Sequence, residues 1–276
     1  MSSCNFVAIS DTHGKHEALG KLPDCDVLLC AGDFTNRGRP DEVASFVRWL
    51  IDVQTHIPQK LITPGNHELS LAGLAGEPEK AAALELLTNA DARAAGIELL
   101  IGTTATTRVG GYRVFGSPVT PWFWGGFMLR EDEIGREWEK IPTGVDVVMT
   151  HGPARGHGDT LRHGAGEHAG CPILLREILD RVRPAVCIAG HIHEGRGATE
   201  WGGVTFLNVS TCNVVRNPVH PPVRFRLERR AGESREGALP EGSVPADGTP
   251  GEAGSTARLV AVEGMKMPAA ITLSAK

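Results

Sequence analysis

The chain of 276 residues is short of basic charge, of long apolar runs and of paired cysteines. Its 28 Lys and Arg are outnumbered by 33 Asp and Glu, for a formal net charge of −5. Bulk binding to nucleic acid needs a basic footprint, so that class is not expected, and a nuclease would want a basic groove that is not evident here. A small anionic substrate held by metal ions stays compatible with the charge. No apolar stretch approaches the roughly 20 residues of a membrane-spanning helix, so no membrane partner is expected. The opening residues, MSSCNFVAISDTHG, lack the basic region and long apolar core of a secretory signal, which makes the cytoplasm the expected compartment. Cys4, Cys25, Cys30, Cys171, Cys187 and Cys212 include no CxxC pair. Cys30 and Cys187 lie inside apolar runs, and the set reads as buried, reduced thiols.

What is present is enough hydrophobic sequence, 41%, to fill a sizeable core. Residues 6–10, 26–32 and 60–65 are short apolar runs that end in Gly or a polar cluster, as buried strands do. Residues 40–53 begin with Pro and acids and then carry apolar residues at helical spacing, and a further helix is expected over 78–96. That order, βαβαβ, implies a parallel sheet with right-handed crossovers. Residues 97–102, 104–110 and 112–118 then read as a short-stranded antiparallel meander. A strand over 145–152, a helix near 172–182 and a strand over 185–191 restore the α/β pattern, and two strands follow. The expected fold class is α/β, a four-layer αββα sandwich of two mixed sheets with helices outside. It would occupy residues 1–228, followed by a disordered Gly/Pro/Glu-rich linker over 229–257 and a C-terminal segment, 258–276, able to dock as one or two strands.

Ligand-type side chains recur where these strands end. Asp11 and His13 follow the first strand, Asp33 the second, Asn66 and His67 the third, His151 the run at 145–150, and His191 and His193 the run at 185–189. In open α/β sheets the carboxyl ends of the strands form the binding crevice. Asp11/His13 and His191/His193 stand two apart, and in extended chain such residues share a face about 6.5–7 Å apart. Pairs of that kind can serve one large ion or two neighbouring ions. Paired metals in hydrolases sit roughly 3.5–4 Å apart around a shared carboxylate, and Asp33 is the natural bridge.

The blocks DTHG (11–14), GDFTNRG (32–38), GNHE (65–68), THGP (150–153) and GHIH (190–193) resemble the signature of the calcineurin-like metallophosphoesterases. Within that superfamily GSPVTPWFWGGF (116–127), GHIHEG and NVSTC (208–212) resemble the metallophosphoesterase-domain-containing family, over about residues 5–228. The resemblance implies two divalent or trivalent ions, with Asp11, His13 and His193 on one, Asn66, His151 and His191 on the other, and Asp33 bridging. It implies His67 as the acid near the leaving group. Mixed N/O ligation suits Mn, Fe or Zn.

Two divalent ions bring four positive charges, and Asp11 with Asp33 returns two negative ones, leaving about +2 for a phosphate and a hydroxide made available near neutral pH. An Asp at 66 would cut that excess. Asn66 preserves it, and its NH₂ would remain able to donate to a phosphate oxygen. The expected activity is phosphodiester hydrolysis, with a cyclic nucleotide as the substrate that best fits the resemblance. The alternatives are a phosphomonoesterase or protein phosphatase on the same centre, or a non-catalytic scaffold of the same fold. Trp122 and Trp124 offer a stacking surface for a base, or else pack their loop onto the core. Residues 156–171 follow ligand candidate His151 and read as a mobile rim or lid, within which His168 matches a family position. Arg37 and Glu194 adjoin ligand candidates and are expected to orient them. Asn208 fits a glycosylation sequon but reads as part of an interior strand.

Overall fold

Alternation along the first strands assigns each side chain to one of two faces. In β1 (Ser2–Ile9), β2 (Val27–Ala31) and β3 (Gln59–Thr63) the residues Phe6, Ala8, Leu29 and Leu61 share one face. Val7, Ile9, Leu28, Cys30 and Ile62 share the other, where Phe46, Trp49 and Leu50 of α1 (Pro40–Asp52) and Leu87 of α2 (Glu77–Thr88) cover them. The inner face meets Val114, Val147, Met149, Ile188 and Leu207 of a second sheet. That sheet's outer face, with Phe115, Val148, Cys187 and Phe206, is covered by Trp138, Leu174 and Ile178. Four layers result. The computed structural model describes residues 2–121, 123–162, 167–229 and 255–265.

The remaining elements run α3 (Ala90–Ala94), β4 (Ile97–Leu99), β5 (Thr103–Thr106), β6 (Arg113–Ser117), β7 (Thr120–Pro121), β8 (Met128–Leu129), α4 (Glu131–Trp138), β9 (Val147–Thr150), α5 (Pro172–Glu177), β10 (Val186–Ala189), β11 (Gly197–Trp201), β12 (Val204–Asn208), β13 (Val223–Arg229) and β14 (Arg258–Glu263). The first sheet has the order β14-β13-β1-β2-β3-β4, the second β11-β12-β10-β9-β6-β5, and β7-β8 form a small ribbon. β1 to β4 are mutually parallel, as are β6, β9, β10 and β12. The carboxyl ends of β1, β2, β3, β9 and β10 therefore open on one edge, where the ligand candidates begin.

Three expectations change. The meander over 97–118 is not one: β4 extends the first sheet in parallel, the chain then crosses over, and only β5 and β6 pair antiparallel. The helix over 78–96 is two, because Asn89 adopts extended backbone and its side chain accepts from Ala92 N–H at 2.9 Å, capping α3. The helix near 172–182 is α5 continued as a π-turn over Ile178–Val182. α4 was not expected at all. Its first turn is acidic, and Ile134 and Trp138 give it only a brief apolar stripe.

Cys4, Cys30, Cys171, Cys187 and Cys212 are buried and all six thiols are free. Asn208 is buried in β12, and its amide donates to the carbonyls of Gly158, Gly190 and Ile192. The expected disorder over 229–257 falls mostly on residues outside those described. β14 pairs antiparallel with β13, while 266–276 also lie outside.

Leu29 is fully buried in the layer between the sheets. Leu29→Ala should cost about 2–5 kcal/mol in urea unfolding. A loss below about 1 kcal/mol would mean that this layer is not the mechanical centre of the fold.

Candidate metal centre

Each strand end turns sharply as it delivers its polar side chain. Asp11, His13, Asp33 and His191 have φ values of 53°, 46°, 52° and 67°, left-handed backbone that costs an L-residue roughly 1–2 kcal/mol each. The expected extended i, i+2 geometry for Asp11/His13 and His191/His193 is therefore not what is found. β1 and β10 stop before these residues, and His193 opens a short 3₁₀ turn. The ligand candidates are instead brought together by turns with little room for side chains. A Cβ on Gly65 would stand 2.3 Å from Asp33 Oδ1, and one on Gly190 2.3 Å from Asp11 Oδ2.

The result is three overlapping groups: Asp11, His13 and His193; His13, Asp33 and His67; Asp33, His151 and His191. Within each, the candidate ligand atoms lie within 4.8 Å of one another. Asp33 stands between the outer two, 3.3 Å from His151 Nε2 and 3.9 Å from His13 Nε2. Asn66 Oδ1 faces His151 Nε2 at 3.0 Å and His191 Nδ1 at 2.9 Å. Its NH₂ donates to the Trp124 carbonyl at 2.9 Å, so that donor is engaged by the protein and not simply held for a substrate.

The donor set can be tested for its fit to cations. His151 Nδ1 donates to the Ala31 carbonyl (2.7 Å) and His193 Nδ1 to that of Asn213 (2.8 Å). In their neutral forms both rings thus present a lone pair at Nε2. His193 Nε2 faces His13 Nε2 at 3.1 Å and lies 3.4 Å from Asp11 Oδ1. Neutral His193 and His151 thus turn lone pairs towards the oxygens of Asp11, Asp33 and Asn66, an arrangement that bound cations satisfy. The residues fit such ions.

Burial alone would raise the carboxyls of Asp11 and Asp33, but the surrounding histidines outweigh it and hold both well below the usual range. Burial pushes His13 and His191 down to about 4. Burial opposes charge on His151 too, yet Asp33, Asp11 and the Ala31 carbonyl lift it to about 9. Without a metal, a proton on His151 does part of the work of a cation.

Supporting groups complete the site. Asp11 accepts from Ser10 Oγ (2.5 Å), Ser210 Oγ (3.0 Å) and the His191 N–H (3.1 Å). Glu68 is fully buried and accepts from the N–H groups of Asp33, Thr35 and Gly65, stitching two ligand loops together. Burial and Asp33 push its carboxyl up to about 8, against the pull of those donors. The His67 N–H donates to Asp33 Oδ1 at 2.8 Å, and His67 Nδ1 donates to the Asn36 carbonyl at 2.6 Å. These partners sit at or beside residues of the quoted blocks, but only their packing shows what they hold.

A match to the family described as "Calcineurin-like phosphoesterase" spans residues 4–195. The chain belongs to that family. Metallophosphoesterase domain-containing protein 1 of Homo sapiens is 37% identical over 79% of this calcineurin-like phosphoesterase and 69% of its own length. A UPF0046 protein of Caenorhabditis elegans is 33% identical over 84% of this chain and 83% of its own. In fold, the chain is similar to phosphopantetheinyl hydrolase from Mycobacterium tuberculosis, with a TM-score of 0.51, 20% identity, and coverage of 77% and 90% of the two chains. Membership and the Asp/His clusters together support a metal-dependent phosphoesterase.

Other expected residues of this calcineurin-like phosphoesterase fall elsewhere. Arg37 is exposed, and its N–H donates to Glu42; the neighbour that touches the site is Asn36, through its carbonyl on His67 and its amide on the His13 carbonyl. Glu194 accepts from the Arg162 N–H, at the wall of a cavity beside His193. His168 is half-exposed and bonds Asp159 at 2.7 Å. Asp159 also accepts from Gly156 and Gly170, so the described part of the expected lid is pinned to itself. Trp124 contributes its carbonyl to Asn66 and sets its ring 5.1 Å from that of His67. Trp122 lies outside the described residues. Arg216, which lies in none of the quoted blocks, places Nη2 3.1 Å from His67 Nε2.

Below about pH 9 a cation binding at His151 Nε2 must displace a proton, whereas His13 and His191, at about 4, are already neutral. Affinity for Mn²⁺ should rise about tenfold per pH unit between pH 6.5 and 8.5. Calorimetry in buffers of different ionisation enthalpy should report at least one proton released. In the metal-free protein the stability drawn from His151 is complete below pH 6.5 and lost as pH rises through about 9. Affinity independent of pH across this range would contradict the arrangement.

Proposed function

We propose that the chain is a phosphodiesterase using two metal ions, hydrolysing phosphodiesters or cyclic nucleotides. What carries the reading is the convergence of Asp11, His13, Asp33, Asn66, His151, His191 and His193 from both sheets, with His67 beside them. Asp11, His13 and His193 would hold one ion and Asn66, His151 and His191 the other, with Asp33 shared. Mixed N/O donors of this kind suit Mn, Fe or Zn. Bound ions supply Lewis acidity, lowering the pKa of water towards about 7 and neutralising phosphate charge.

The chain's own residues supply the rest. The Asn36 carbonyl fixes the His67 ring through Nδ1, which leaves Nε2 to hold a proton and deliver it to the departing oxygen. Phe123, with its ring 6.1 Å from that of His191, and Trp124 form an exposed aromatic rim. Stacking a base there is worth about 1–3 kcal/mol, which supports a nucleotide substrate. Asn66 keeps the centre's charge high, and its amide ties the aromatic loop to the site through Trp124.

With Mn²⁺, the protein should hydrolyse bis-p-nitrophenyl phosphate faster than p-nitrophenyl phosphate, and a panel of 2′,3′- and 3′,5′-cyclic nucleotides should yield a substrate. The reverse preference would point to a phosphomonoesterase, and no turnover across metals and esters to a scaffold. His67→Ala should keep its metal content and lose about 10²–10⁴ in rate, most of all on esters with poor leaving groups. Full activity on such an ester would remove His67 from the mechanism. Asn66→Asp should bind metal at least as well but turn over roughly tenfold or more slowly at saturating metal, because it adds charge and opposes the Trp124 carbonyl with an oxygen. Equal or faster turnover would refute that account.

A further inference from the structure

The turn between β12 and β13 carries out two tasks at once. The Asn213 carbonyl orients His193 by accepting from its Nδ1, and it also accepts from the Arg216 N–H at 2.8 Å. Asn213 Oδ1 accepts from the N–H groups of Val215 (3.1 Å) and Asn217 (3.0 Å). Arg216 is thereby held in left-handed backbone at φ 57°, a conformation with a cost for any residue but Gly, and Lys15 Nζ donates to its carbonyl. The outcome of this construction is a guanidinium with Nη2 3.1 Å from His67 Nε2. His67 Nδ1 is already committed to Asn36, so Nε2 accepts from the guanidinium while the ring is neutral, and a ring protonated to serve the departing oxygen releases that donor to the substrate.

From this geometry we infer that Arg216 is a substrate-binding residue that reads a phosphate carried on the leaving group. The inference rests on the leaving-group role proposed above for His67. If Nε2 serves the departing oxygen, the group next to that oxygen arrives where the guanidinium now lies. A guanidinium has five N–H donors, and no more than one of them meets Nε2, only while that ring is neutral. The remaining fork matches phosphate, which Arg engages through paired, charge-assisted hydrogen bonds. Charge argues the same way. The loaded centre already carries an excess of about two positive charges, and a simple diester brings one negative charge. Arg216, with Lys15 tied to the same turn, adds positive charge that such a diester leaves unbalanced. A phosphoanhydride, or an ester whose leaving group bears its own phosphate, balances it. The substrate class this favours is the nucleoside diphosphate type, in which attack at either phosphorus leaves a phosphate-bearing group at His67.

The test uses the full-length protein loaded with Mn²⁺ and the variants Arg216→Asn and Arg216→Lys. Asn tolerates the left-handed conformation, so the turn and its hold on His193 are kept, and equal metal stoichiometry verifies this. The ratio of kcat/KM for ADP to that for bis-p-nitrophenyl phosphate should fall about tenfold or more in Arg216→Asn, chiefly through KM for ADP, with partial recovery in Arg216→Lys. Calorimetry should show weaker binding of α,β-methylene-ADP in Arg216→Asn, with a smaller change for orthophosphate. The binding difference does not require turnover. Its presence with no ester hydrolysed would overturn the phosphodiesterase reading and keep this one. An unchanged ratio, or equal losses for both substrates and both binding probes, would overturn the assignment of Arg216.

Discussion

Two buried carboxylates set the terms for everything around them. Asp11 and Asp33 are almost wholly shielded from water, and an isolated buried carboxylate is too costly to keep charged. The fold meets that cost with positive or donating groups on every side. His151 and His193 are drawn towards their charged forms, Ser10 and Ser210 donate to Asp11, and the His67 N–H donates to Asp33. A pair of cations satisfies the same demand more completely, so the arrangement that compensates these charges is also one suited to binding metal.

The site is shared between the sheets, and this gives the core a role beyond stability. Asp11, Asp33 and Asn66 follow strands of the first sheet, while His151, His191 and His193 follow strands of the second. Their separations are therefore set by the apolar layer in which Phe6, Leu29 and Leu61 meet Val147, Met149 and Leu207. The close packing of protein interiors makes such a layer stiff. Glu68 reinforces it locally, since one carboxyl group holds the Asp33, Thr35 and Gly65 backbones in a common geometry.

The later part of the chain works on the site from outside. Asn208 binds the loops around Gly158, Gly190 and Ile192, and Asn213 orients His193. Arg196 donates to the carbonyls of Ser210, Pro221 and Gly264, which fastens the end of β14 beside the loops leading out of β12. Amides and a guanidinium suit this role because each can bridge several backbone carbonyls that would otherwise lie unsatisfied.

By itself the sequence determined the alternation of buried strands, the four-layer class and the residue types offered at the strand ends. These depend on local periodicity and on glycine-bounded turns, which leave their mark within a few residues. It did not separate β4 from the hairpin that follows, because short apolar runs look alike whichever sheet receives them. Nor could it show that Asp11 and His13 leave extended geometry, since that conformation is imposed by contacts with the Asp33 loop: the His13 N–H donates to the Asp33 carbonyl, and the Asp11 N–H to that of Gly32. Arg37 and Arg216 mark the boundary most clearly. One adjoins a ligand block in sequence and lies exposed; the other is 149 positions from His67 and touches it. Chain neighbours share a loop, but which side chain enters the site is decided by how distant loops close over it, and only the tertiary structure contains that closure.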